Sequence, residues 1–446
     1  MSPTPRGAEQ DPAAADVIEP GGTPETGAPA TDAAAAGTVG VPELMANSVG
    51  DYAGIWLKRV RNGESGALPI ILGLIAIVIF FQVKNSLFLS SSNLVNLMIQ
   101  GVPFILLGMA EVFVLLLGEI DLSTGYNAAI GATITLWAAY SLPWWVAILC
   151  GLAVSAFFGA LQGTIITRLG LPSFVVTLAG YLGMEGFLIV LVPHTGHGSG
   201  GSISNPSNIL NDFTQGSLSP VAGWVVMIVL VALAGVFMVS RDRRRLASGL
   251  VAPPLGVTLL KIAVMAVAGV LVVLIGNTNR GVGLTKLSGV PWAVFIVLGV
   301  LVLYTMLTGR TRFGRYVYAI GGNAEAARRA GVSLIGIRTM CFTLCGLTAG
   351  IAGIMLSSQL GSIGTDVNGG EYVLFAVASA VIGGTALFGG RGKMIHALLG
   401  GLVIAVIYNG LGLIGLSAGP TFIVTALVLL AAVTIDTLAR RRGAAT

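Results

Sequence analysis

Long apolar runs, separated by short polar segments, fill the chain from residue 67 to residue 438. A helix needs about 20 apolar residues to cross the hydrocarbon core of a bilayer, and many of these runs reach that length. They lack the alternation of apolar and polar residues that is typical of strands. The sequence therefore predicts an all-α, polytopic integral membrane protein of about twelve helices, at 67–83, 98–117, 122–140, 143–163, 171–192, 220–240, 256–275, 291–308, 338–357, 371–388, 395–416 and 420–438.

Lysine and arginine are distributed unevenly between the two sides of these predicted spans. Basic residues precede the first span, which places the N-terminus in the cytoplasm by the positive-inside rule. Counting across, the Arg-rich loop at 309–338 also falls inside, whereas the loop 193–219 falls outside and has no Lys or Arg. We therefore predict cytoplasmic N and C termini; ten spans with re-entrant segments would keep this parity. The inside set is Lys58, Arg59, Arg61, Arg168, Arg241, Arg243, Arg244, Arg245, Arg391, Lys393, Arg440, Arg441 and Arg442, and the outside set is Lys84, Arg280 and Lys286.

Composition divides the chain into three parts. Hydrophobic residues make up 55% and charged residues 10% of its 446 positions, against about 25% charged in an average soluble domain. Residues 1–66 are rich in Ala, Pro, Gly, Asp and Glu, which predicts a disordered, acidic cytoplasmic segment. The transmembrane domain follows at 67–438 and a basic cytoplasmic tail at 439–446. Because the net charge of +5 comes mostly from clusters beside spans, we expect no nucleic-acid partner.

Two segments echo each other within the chain. Residues 163–175 end in LGLPSFV and residues 410–424 end in LSAGPTFIV, and both follow Gly-rich spans. The first segment leaves the membrane on the inside and the second on the outside. This arrangement predicts an inverted-topology repeat, although Gly- and Ala-rich spans also resemble each other by chance.

The stretch GRTRFGRYVYAIGGNAEAARRAGVSLIGIR at 309–338 contains a complete small helix signal. Asn323 suits the N-cap. Glu325 lies in the first turn and Arg328 and Arg329 in the last, so each charge complements the helix dipole. Gly331 follows as the C′ residue that ends the helix. A capped helix on the cationic side of a membrane is typical of a docking element for a soluble partner; the alternative is a surface turn that only joins two spans.

The segment GEIDLSTG at 118–125 puts Glu119 and Asp121 between apolar runs. An unpaired ionised side chain at membrane depth costs at least about 2.5–3.5 kcal/mol. These carboxylates therefore either sit at a water-accessible bend or have a partner. Asp121 also suits the N-cap of the third span, a structural role that we favour over direct substrate binding. A proton relay would need partner acids, for which Glu111 and Glu185 are the candidates.

Catalytic, nucleotide-binding and metal-binding motifs find no support in the sequence. A phosphate loop in GGTALFGGRGKM at 383–394 would need Gly and Ser or Thr where Leu387 and Met394 stand. The cysteines lie in apolar surroundings, and the two histidines of PHTGHGSGG are typical of solvated loop residues. We therefore expect no enzyme activity, no cofactor and no metal site, and any ATP dependence must come from a partner.

Four segments, in this order, resemble the permease subunits of monosaccharide ABC importers of the ribose/xylose type. They are GEIDLSTG at 118–125, LPSFVVTLAG at 171–180, FGRYVYAIGGNAEAARRAGV at 313–332 and AVIGGTALFGGRGKMIHALLGG at 380–401. The resemblance covers residues 90–438. Glu119, where the family more commonly has Gly, and the extra apolar pair at 220–275 both favour the xylose-type branch. In EYVLFAVAS at 371–379, Phe375 and Ser379 depart from the commoner family wording.

The resemblance implies a bacterial plasma-membrane permease that forms a homodimeric pore. Cytoplasmic ATPase subunits would dock inside, and an extracytoplasmic sugar-binding protein would deliver a monosaccharide outside. The substrate would be a xylose-like pentose or a hexose. By this resemblance and by the capped helix, the ATPase-coupling residues are Gly321, Gly322, Asn323, Glu325, Ala327, Arg328, Arg329 and Gly331.

A sugar path needs hydrogen-bonding groups and aromatic faces. Polar residues inside or at the edges of spans are therefore its candidates, namely Glu119, Asp121, Asn127, Gln162, Tyr181, Gln359 and Asn409. Three other functions stay open at this point: a permease of the same superfamily for branched-chain amino acids or nucleosides, an ion-coupled secondary transporter, and a membrane scaffold without transport activity.

Overall fold

The computed structural model describes residues 50, 54, 68–250, 252–281 and 287–416, with isolated positions between 419 and 434. Most of the predicted segment 1–66, much of the last predicted span, Lys286 and the basic tail 439–446 lie outside the described residues. The predictions made for those parts of the chain therefore stay predictions.

Helices dominate the described chain, as predicted. Each of the first eleven predicted spans contains a helix, and eight helices of the described residues are long and apolar enough to cross a membrane. The helices are α1 Leu68–Lys84, α2 Ser91–Leu115, α3 Thr124–Ala139, α4 Trp144–Leu169, α5 Ser173–His194, α6 Asn208–Gln215, α7 Pro220–Ala247, α8 Leu255–Asn277, α9 Trp292–Arg310, α10 Arg312–Gly322, α11 Ala324–Arg329, α12 Leu334–Leu360, α13 Gly369–Ile382 and α14 Met394–Leu413. The short strands β1 Gly198–Ser199, β2 Ser202–Ser204 and β3 Ser362–Gly364 pair antiparallel in that order.

Helices α2 and α12 form the centre of the bundle. Helix α2 is mostly buried and packs against α12, α13 and α14, while α12 packs against α3 and α4. Small residues permit this close approach: a side chain at Gly108 would contact Ser379, and one at Gly163 would contact Phe342. By contrast, α7 and α8 pack mainly against each other at the periphery and are largely exposed.

An inverted repeat organises this core. Helix α2, the loop 116–123, α3 and α4 have counterparts in α12, the loop 361–368, α13 and α14. The equivalent pairs also pack alike, because α2 contacts α13 and α14 as α12 contacts α3 and α4. Gly118 and Gly361 stand at matching positions in the two loops with φ of 79° and 72°. The sequence echo near residues 163 and 410 corresponds to the ends of α4 and α14 in this repeat.

The bundle has two ends that differ in charge. The basic end is defined here by residues 116–118 and the connections 170–172, 248–254, 311–333 and 383–393, and the opposite end by the connections 85–90, 195–219 and 278–281 and by residues 361–364. Residues 119–123 and 365–368 lead from these ends into the bundle, where the starts of α3 and α13 meet. Most described Lys and Arg residues flank the basic end, whereas Lys84 and Arg280 lie at the opposite end. The chain therefore has the charge asymmetry of an oriented membrane protein.

The predicted span 371–388 is wrong in its last third. Helix α13 ends at Ile382, and residues 383–393 form turns instead of helix. Gly383 packs against the backbone of His396, which leaves no room for a side chain there. The apolar residues after Ile382 therefore belong to a turn at the basic end, where the chain reverses into α14.

Candidate coupling surface and translocation path

The capped helix predicted from the sequence is present as α11. Asn323 Oδ1 accepts a hydrogen bond of 2.9 Å from the Ala326 amide. At the other end, Gly331 has a φ of 82°, and its amide donates to the Arg328 carbonyl at 3.0 Å. These bonds satisfy terminal backbone groups that a six-residue helix would otherwise leave to water. The cap prediction is therefore confirmed at both ends.

Glu325 forms ion pairs with both arginines of this helix. Arg328 Nη2 lies 2.9 Å and Arg329 Nε 3.1 Å from Glu325 Oε1. Hydrogen bonds from Arg328 and Arg329 lower the pKa of the Glu325 carboxyl below its usual value. All three side chains are exposed, so the pairs define the charge pattern of the surface more than they stabilise the fold.

A second helix, α10, precedes α11 and was not predicted from the sequence. Its buried face consists of Gly314, Val317 and Ile320, and the Thr311 side chain accepts a hydrogen bond from the Gly314 amide at its start. Tyr318 Oη donates to the Gly392 carbonyl at 2.7 Å. Hydrophobic residues at helical spacing within RFGRYVYAI would have indicated this amphipathic helix.

Helix α10 meets the end of α2 and the Gly-rich turn before α14 at the basic end. The Gly390 amide donates to the Leu116 carbonyl at 2.9 Å. Gly321 packs on that same carbonyl so closely that a side chain would overlap it. Phe388, at the tip of the 383–393 turn, is 90% exposed. The basic end therefore joins α10, the end of α2 and the turn before α14 through backbone contacts, with one aromatic side chain projecting outward.

The predicted coupling residues fall into two groups, those that are at least partly buried and those that are exposed. Ala327 is buried and Gly321 is partly buried, so they hold α11 and α10 on the bundle. The others are exposed at the basic end and are accessible to a partner, namely Gly322, Asn323, Glu325, Arg328, Arg329 and Gly331.

Glu119 has a cationic partner, which is one of the two alternatives expected for a carboxylate between apolar runs. Arg338, near the start of α12, donates to Glu119 Oε1 through both Nε and Nη2. The Glu119 side chain is only 8% exposed. Sequence analysis missed Arg338 as the partner because it stands at the edge of an apolar span. The basic residue at the start of an otherwise apolar span is its signal in the sequence, but that signal does not identify the acid it meets.

Asp121 does not cap α3, so the N-cap prediction is wrong. The helix begins at Thr124, and Asp121 Oδ1 instead accepts bonds from the Ser123 amide at 2.9 Å and the Ser123 hydroxyl at 2.6 Å. Short polar side chains favour such turns because they bond the backbone two residues on. Glu111, named as a candidate partner, lies close by and accepts from the Thr124 hydroxyl at 2.6 Å.

Gln162 joins this buried cluster and Asn127 lies on the adjoining turn of α3. Gln162 Nε2 donates to the Ser123 hydroxyl at 2.8 Å. Asn127 Nδ2 donates to the Ser155 carbonyl at 3.2 Å, while its Oδ1 has no protein partner. Sequence reasoning therefore selected residues that the fold brings together, although Glu111, Ser123 and Thr124 complete the cluster.

Tyr181 lies on a different surface, in the middle of α5. Its ring contacts that of Tyr126 edge to face, with the centroids 4.9 Å apart. Tyr126 Oη in turn donates to Glu185 Oε1 at 2.8 Å. Glu185, named with Glu111 as a candidate relay partner, is therefore bonded to an aromatic pair and not to the buried acids.

Gln359 and Asn409 lie near the opposite end, in separate places. Gln359 is at the end of α12, where its backbone carbonyl accepts from Gln215 at 3.2 Å. Asn409 Nδ2 donates to Asn93 Oδ1 at 3.1 Å and to Gln100 Oε1 at 3.0 Å. Asn93, Gln100 and Asn409 line a cavity of about 260 Å³. The seven predicted path residues therefore form no single site within this chain.

Comparisons with known proteins agree with this architecture. The family model described as "Branched-chain amino acid transport system / permease component" matches residues 93–435. The xylose transport system permease protein XylH of Haemophilus influenzae is 33% identical over 389 residues, which cover 85% of this chain and 99% of that protein. The ribose import permease protein RbsC of Escherichia coli is 28% identical over 367 residues, covering 81% and 92%. No solved structure matches the chain.

Proposed function

The chain belongs to the permease family of branched-chain amino acid transport systems, and from this premise we propose that it translocates a monosaccharide as part of an ATP-binding-cassette importer. It is a multi-pass protein of the plasma membrane. A separate ATPase subunit would supply the energy, so this chain itself would be a transport subunit and not an enzyme.

The observation that carries this proposal is the exposed, capped helix α11 on the basic end. Its polar side chains project from the bundle, while Ala327 fixes it from beneath. A helix of six residues is too short to be stable by itself, so the caps and this anchor maintain its shape. A preformed charged helix of this kind suits a contact that must transmit force, because little ordering free energy is lost on docking.

The ion pair of Glu119 with Arg338 gives a route for that force into the membrane. Arg338 follows α11 closely in the chain, and Glu119 belongs to the loop that leads into α3. A displacement of α11 would move the start of α12, and the ion pair would carry the loop 116–123 with it. Movement of α3 against α13 would then switch the path between inward-open and outward-open states.

The charge distribution supports the orientation of the importer. With the basic end in the cytoplasm, α10 and α11 face an ATPase, while the loop 195–219 and the three short strands face an extracytoplasmic sugar-binding protein. Two copies of this chain would form the pore between them. We propose that neither partner nor second copy is needed to form α11, since its caps lie within the chain.

The proposed substrate is a xylose-like pentose or a hexose. The relatives' names specify xylose and ribose, and the polar groups inside the bundle are mostly amides, hydroxyls and aromatic rings. A zwitterionic amino acid would require paired charges along the path. Among the described residues, Glu119 and Arg338 form an ion pair with each other, so their two charges compensate one another instead of standing as separate partners for the two charges of an amino acid.

A pull-down tests the importer class. The intact chain and a variant with 323–331 replaced by a Gly/Ser linker are expressed in native membranes, extracted in mild detergent and compared for copurifying proteins. We expect an ATPase subunit with the intact chain and its loss with the linker. No ATPase with the intact chain, even after cross-linking, would overturn the proposal.

Uptake assays separate the rival functions. Uptake of labelled xylose or ribose should stop when ATP is depleted and persist when an uncoupler collapses the ion gradient. The reverse pattern would indicate an ion-coupled transporter. Competition by leucine or a nucleoside, but by no monosaccharide, would assign the chain to another substrate class of its family.

A further inference from the structure

The middle of α5 carries an acidic side chain with no cation beside it. Glu185 stands near the midpoint of Ser173–His194 and is partly exposed on the surface of the chain. Ion pairs of the described residues do not include it. A carboxylate at this depth would be costly against lipid, so its surface must face water, a substrate or protein.

An aromatic pair, Tyr126 and Tyr181, lies on one side of this carboxylate. Tyr126, at the start of α3, donates its hydroxyl to Glu185 Oε1 at 2.8 Å. Tyr181, one turn before Glu185 on α5, contacts the Tyr126 ring edge to face at 4.9 Å. Tyr126 is buried, so Tyr181 is the ring of this pair that presents apolar surface. The second carboxylate oxygen of Glu185 has no protein donor among the described contacts.

The start of α13 completes the surface from a third direction. Gly370 has no side chain, and a Cβ built there would lie 2.8 Å from Tyr181 Oη and 3.5 Å from Asn368 Oδ1. The Tyr181 phenol and the Asn368 amide therefore both lie close to the Gly370 backbone. Asn368 Oδ1 also accepts a hydrogen bond of 3.2 Å from the Glu371 amide. Tyr181 and Asn368 belong to segments almost two hundred positions apart in sequence, so the inverted repeat, which brings α3 and α13 together, creates this convergence.

We propose that Glu185, Tyr181 and Asn368, with the buried Tyr126 holding the Glu185 carboxylate in place, form a contact site for a neutral polyhydroxylated substrate halfway across the membrane. A carboxylate accepts hydrogen bonds from sugar hydroxyls, and an amide both accepts and donates. Aromatic rings provide the apolar surface that fixes orientation in such sites. Transporters built from inverted repeats commonly bind substrate near the bilayer midplane, at the interface of the repeats. The site rests on the proposed function and specifies where its substrate is held.

The buried acids on α2 and the adjoining loop are poorer candidates for this role. Glu111 and Asp121 are fully buried and already accept bonds from Thr124 and Ser123. Glu185 keeps one oxygen free of protein donors among the described contacts and stands at the surface. The α5 surface is therefore the better candidate for direct substrate contact, and the buried acids are better explained as structural links between helices.

Thiol labelling tests access to this site in the full chain, with its ATPase and binding protein, in membrane vesicles. Tyr181→Cys is made in a Cys150→Ser parent, which sets the labelling background because Cys341 and Cys345 are buried. A hydrophilic methanethiosulfonate reagent should modify the thiol of the Tyr181→Cys variant. If the parent takes up D-xylose or D-ribose, the transported sugar should slow this modification. The control is Phe187→Cys, an exposed position six residues further along α5. It should show no sugar protection.

The proposed site would be wrong if the Tyr181→Cys variant were labelled no faster than the Phe187→Cys variant. It would also be wrong if a transported sugar did not slow the labelling of Tyr181→Cys. Either result would leave the importer class intact, since uptake by the parent is measured first. A parent that copurifies no ATPase and takes up no monosaccharide would instead overturn the proposed function, and the site with it.

Kinetics separate substrate contact from a structural role. Glu185→Gln keeps the shape but replaces a charged acceptor, and we expect the KM for uptake to rise about tenfold or more, the change that follows loss of one charged hydrogen bond. Glu185→Asp should restore part of the affinity. ATPase copurification should be unchanged in both variants. An unchanged KM together with less folded protein would mean that Glu185 only stabilises Tyr126, and would overturn the proposal.

Discussion

Glu119 and Arg338 form an ion pair between the loop 116–123 and the start of α12. The pair is largely screened from solvent, and it connects the loop before α3 with the helix that follows α11. Glu119 Oε2 has no partner of its own, so the whole stabilisation of this acid depends on one arginine. We therefore expect the removal of either residue alone to lower the stability of the folded protein.

Arg338→Met should lower the apparent Tm of the detergent-purified protein strongly. Removing one partner of a buried pair leaves an uncompensated charge and costs about 3–5 kcal/mol. The double variant Glu119→Leu/Arg338→Met should recover most of that loss, because no charge is left buried. Arg328→Met is the matched control, since its ion pair is exposed and should leave Tm unchanged.

The same double variant also tests mechanical coupling. If the ion pair transmits motion from α11 to α3, the stable double variant should copurify its ATPase and hydrolyse ATP while sugar uptake falls. A double variant that is as unstable as Arg338→Met would contradict the stability argument. Uptake at the parent rate would contradict the coupling role.

Asn323→Ala should weaken α11 locally. Loss of an N-cap side chain costs about 0.5–2 kcal/mol, which is large for a helix of six residues. Hydrogen exchange of amides in Ala324–Arg329 should accelerate, and less ATPase should copurify. Asn323→Asp keeps the acceptor to the Ala326 amide and is the control. Equal exchange rates in the Ala and Asp variants would mean that the cap does not hold this helix.

The Glu325 ion pairs predict a pH dependence of α11. Hydrogen bonds from Arg328 and Arg329 lower the pKa of Glu325. The stabilisation is therefore complete above the ordinary glutamate pKa of about 4.3 and is lost as pH falls through the lower, folded-state pKa. Hydrogen exchange in α11, corrected for its intrinsic pH dependence, should show protection that declines only in strong acid. Glu325→Gln should abolish this pH dependence, and a decline that persists in it would assign the effect to another group.

Sequence reasoning could place the helices and α11 because each depends on local pattern. Asn323, Glu325 and Gly331 lie within one short segment, so helix geometry alone predicts the cap and ion-pair contacts that they make. The need of Glu119 for a partner or for water could also be recognised locally, because apolar residues flank it on both sides. The partner itself, Arg338, comes from another part of the chain, and no local pattern encodes which distant cation meets a given acid.

The errors arise where tertiary packing decides. Asp121 looked like a cap, but the chain turns back beside Glu111 before α3 starts, so its carboxylate bonds Ser123 instead. The run 371–388 looked like one span, but the contact of Gly383 with the His396 backbone ends the helix early. The aromatic pair of Tyr126 and Tyr181 depends on the inverted repeat, which the sequence only suggested.

Phe388→Ala should weaken docking of the ATPase without affecting the fold. An aromatic side chain that is 90% exposed contributes little to the protomer, yet aromatic residues are enriched among the residues that dominate binding energy at interfaces. We expect the amount of copurified ATPase to fall several-fold at constant Tm. Leu360→Ala, an exposed apolar residue at the opposite end, is the control. Undiminished copurification with Phe388→Ala would exclude this side chain from the contact.

Gly125→Ala should destabilise the centre of the bundle. Gly125 and Gly369 stand at the starts of α3 and α13, and a Cβ on Gly125 would overlap the Gly369 carbonyl oxygen. Because that atom belongs to the backbone, it cannot swing aside, and overpacking of this kind costs about 1–3 kcal/mol. The apparent Tm should fall, and sugar uptake should fall with it.

Gly183→Ala supplies the comparison, since no atom lies within 4 Å of the position where its Cβ would stand. In a helix interior Ala is otherwise favoured over Gly by about 0.5–1 kcal/mol, so Tm should hold or rise slightly. If both variants behaved alike, α3 and α13 would not be in contact in the folded protein. The convergence of Tyr126, Tyr181 and Asn368 would then lose its structural basis, because that same contact brings the start of α13 to the aromatic pair.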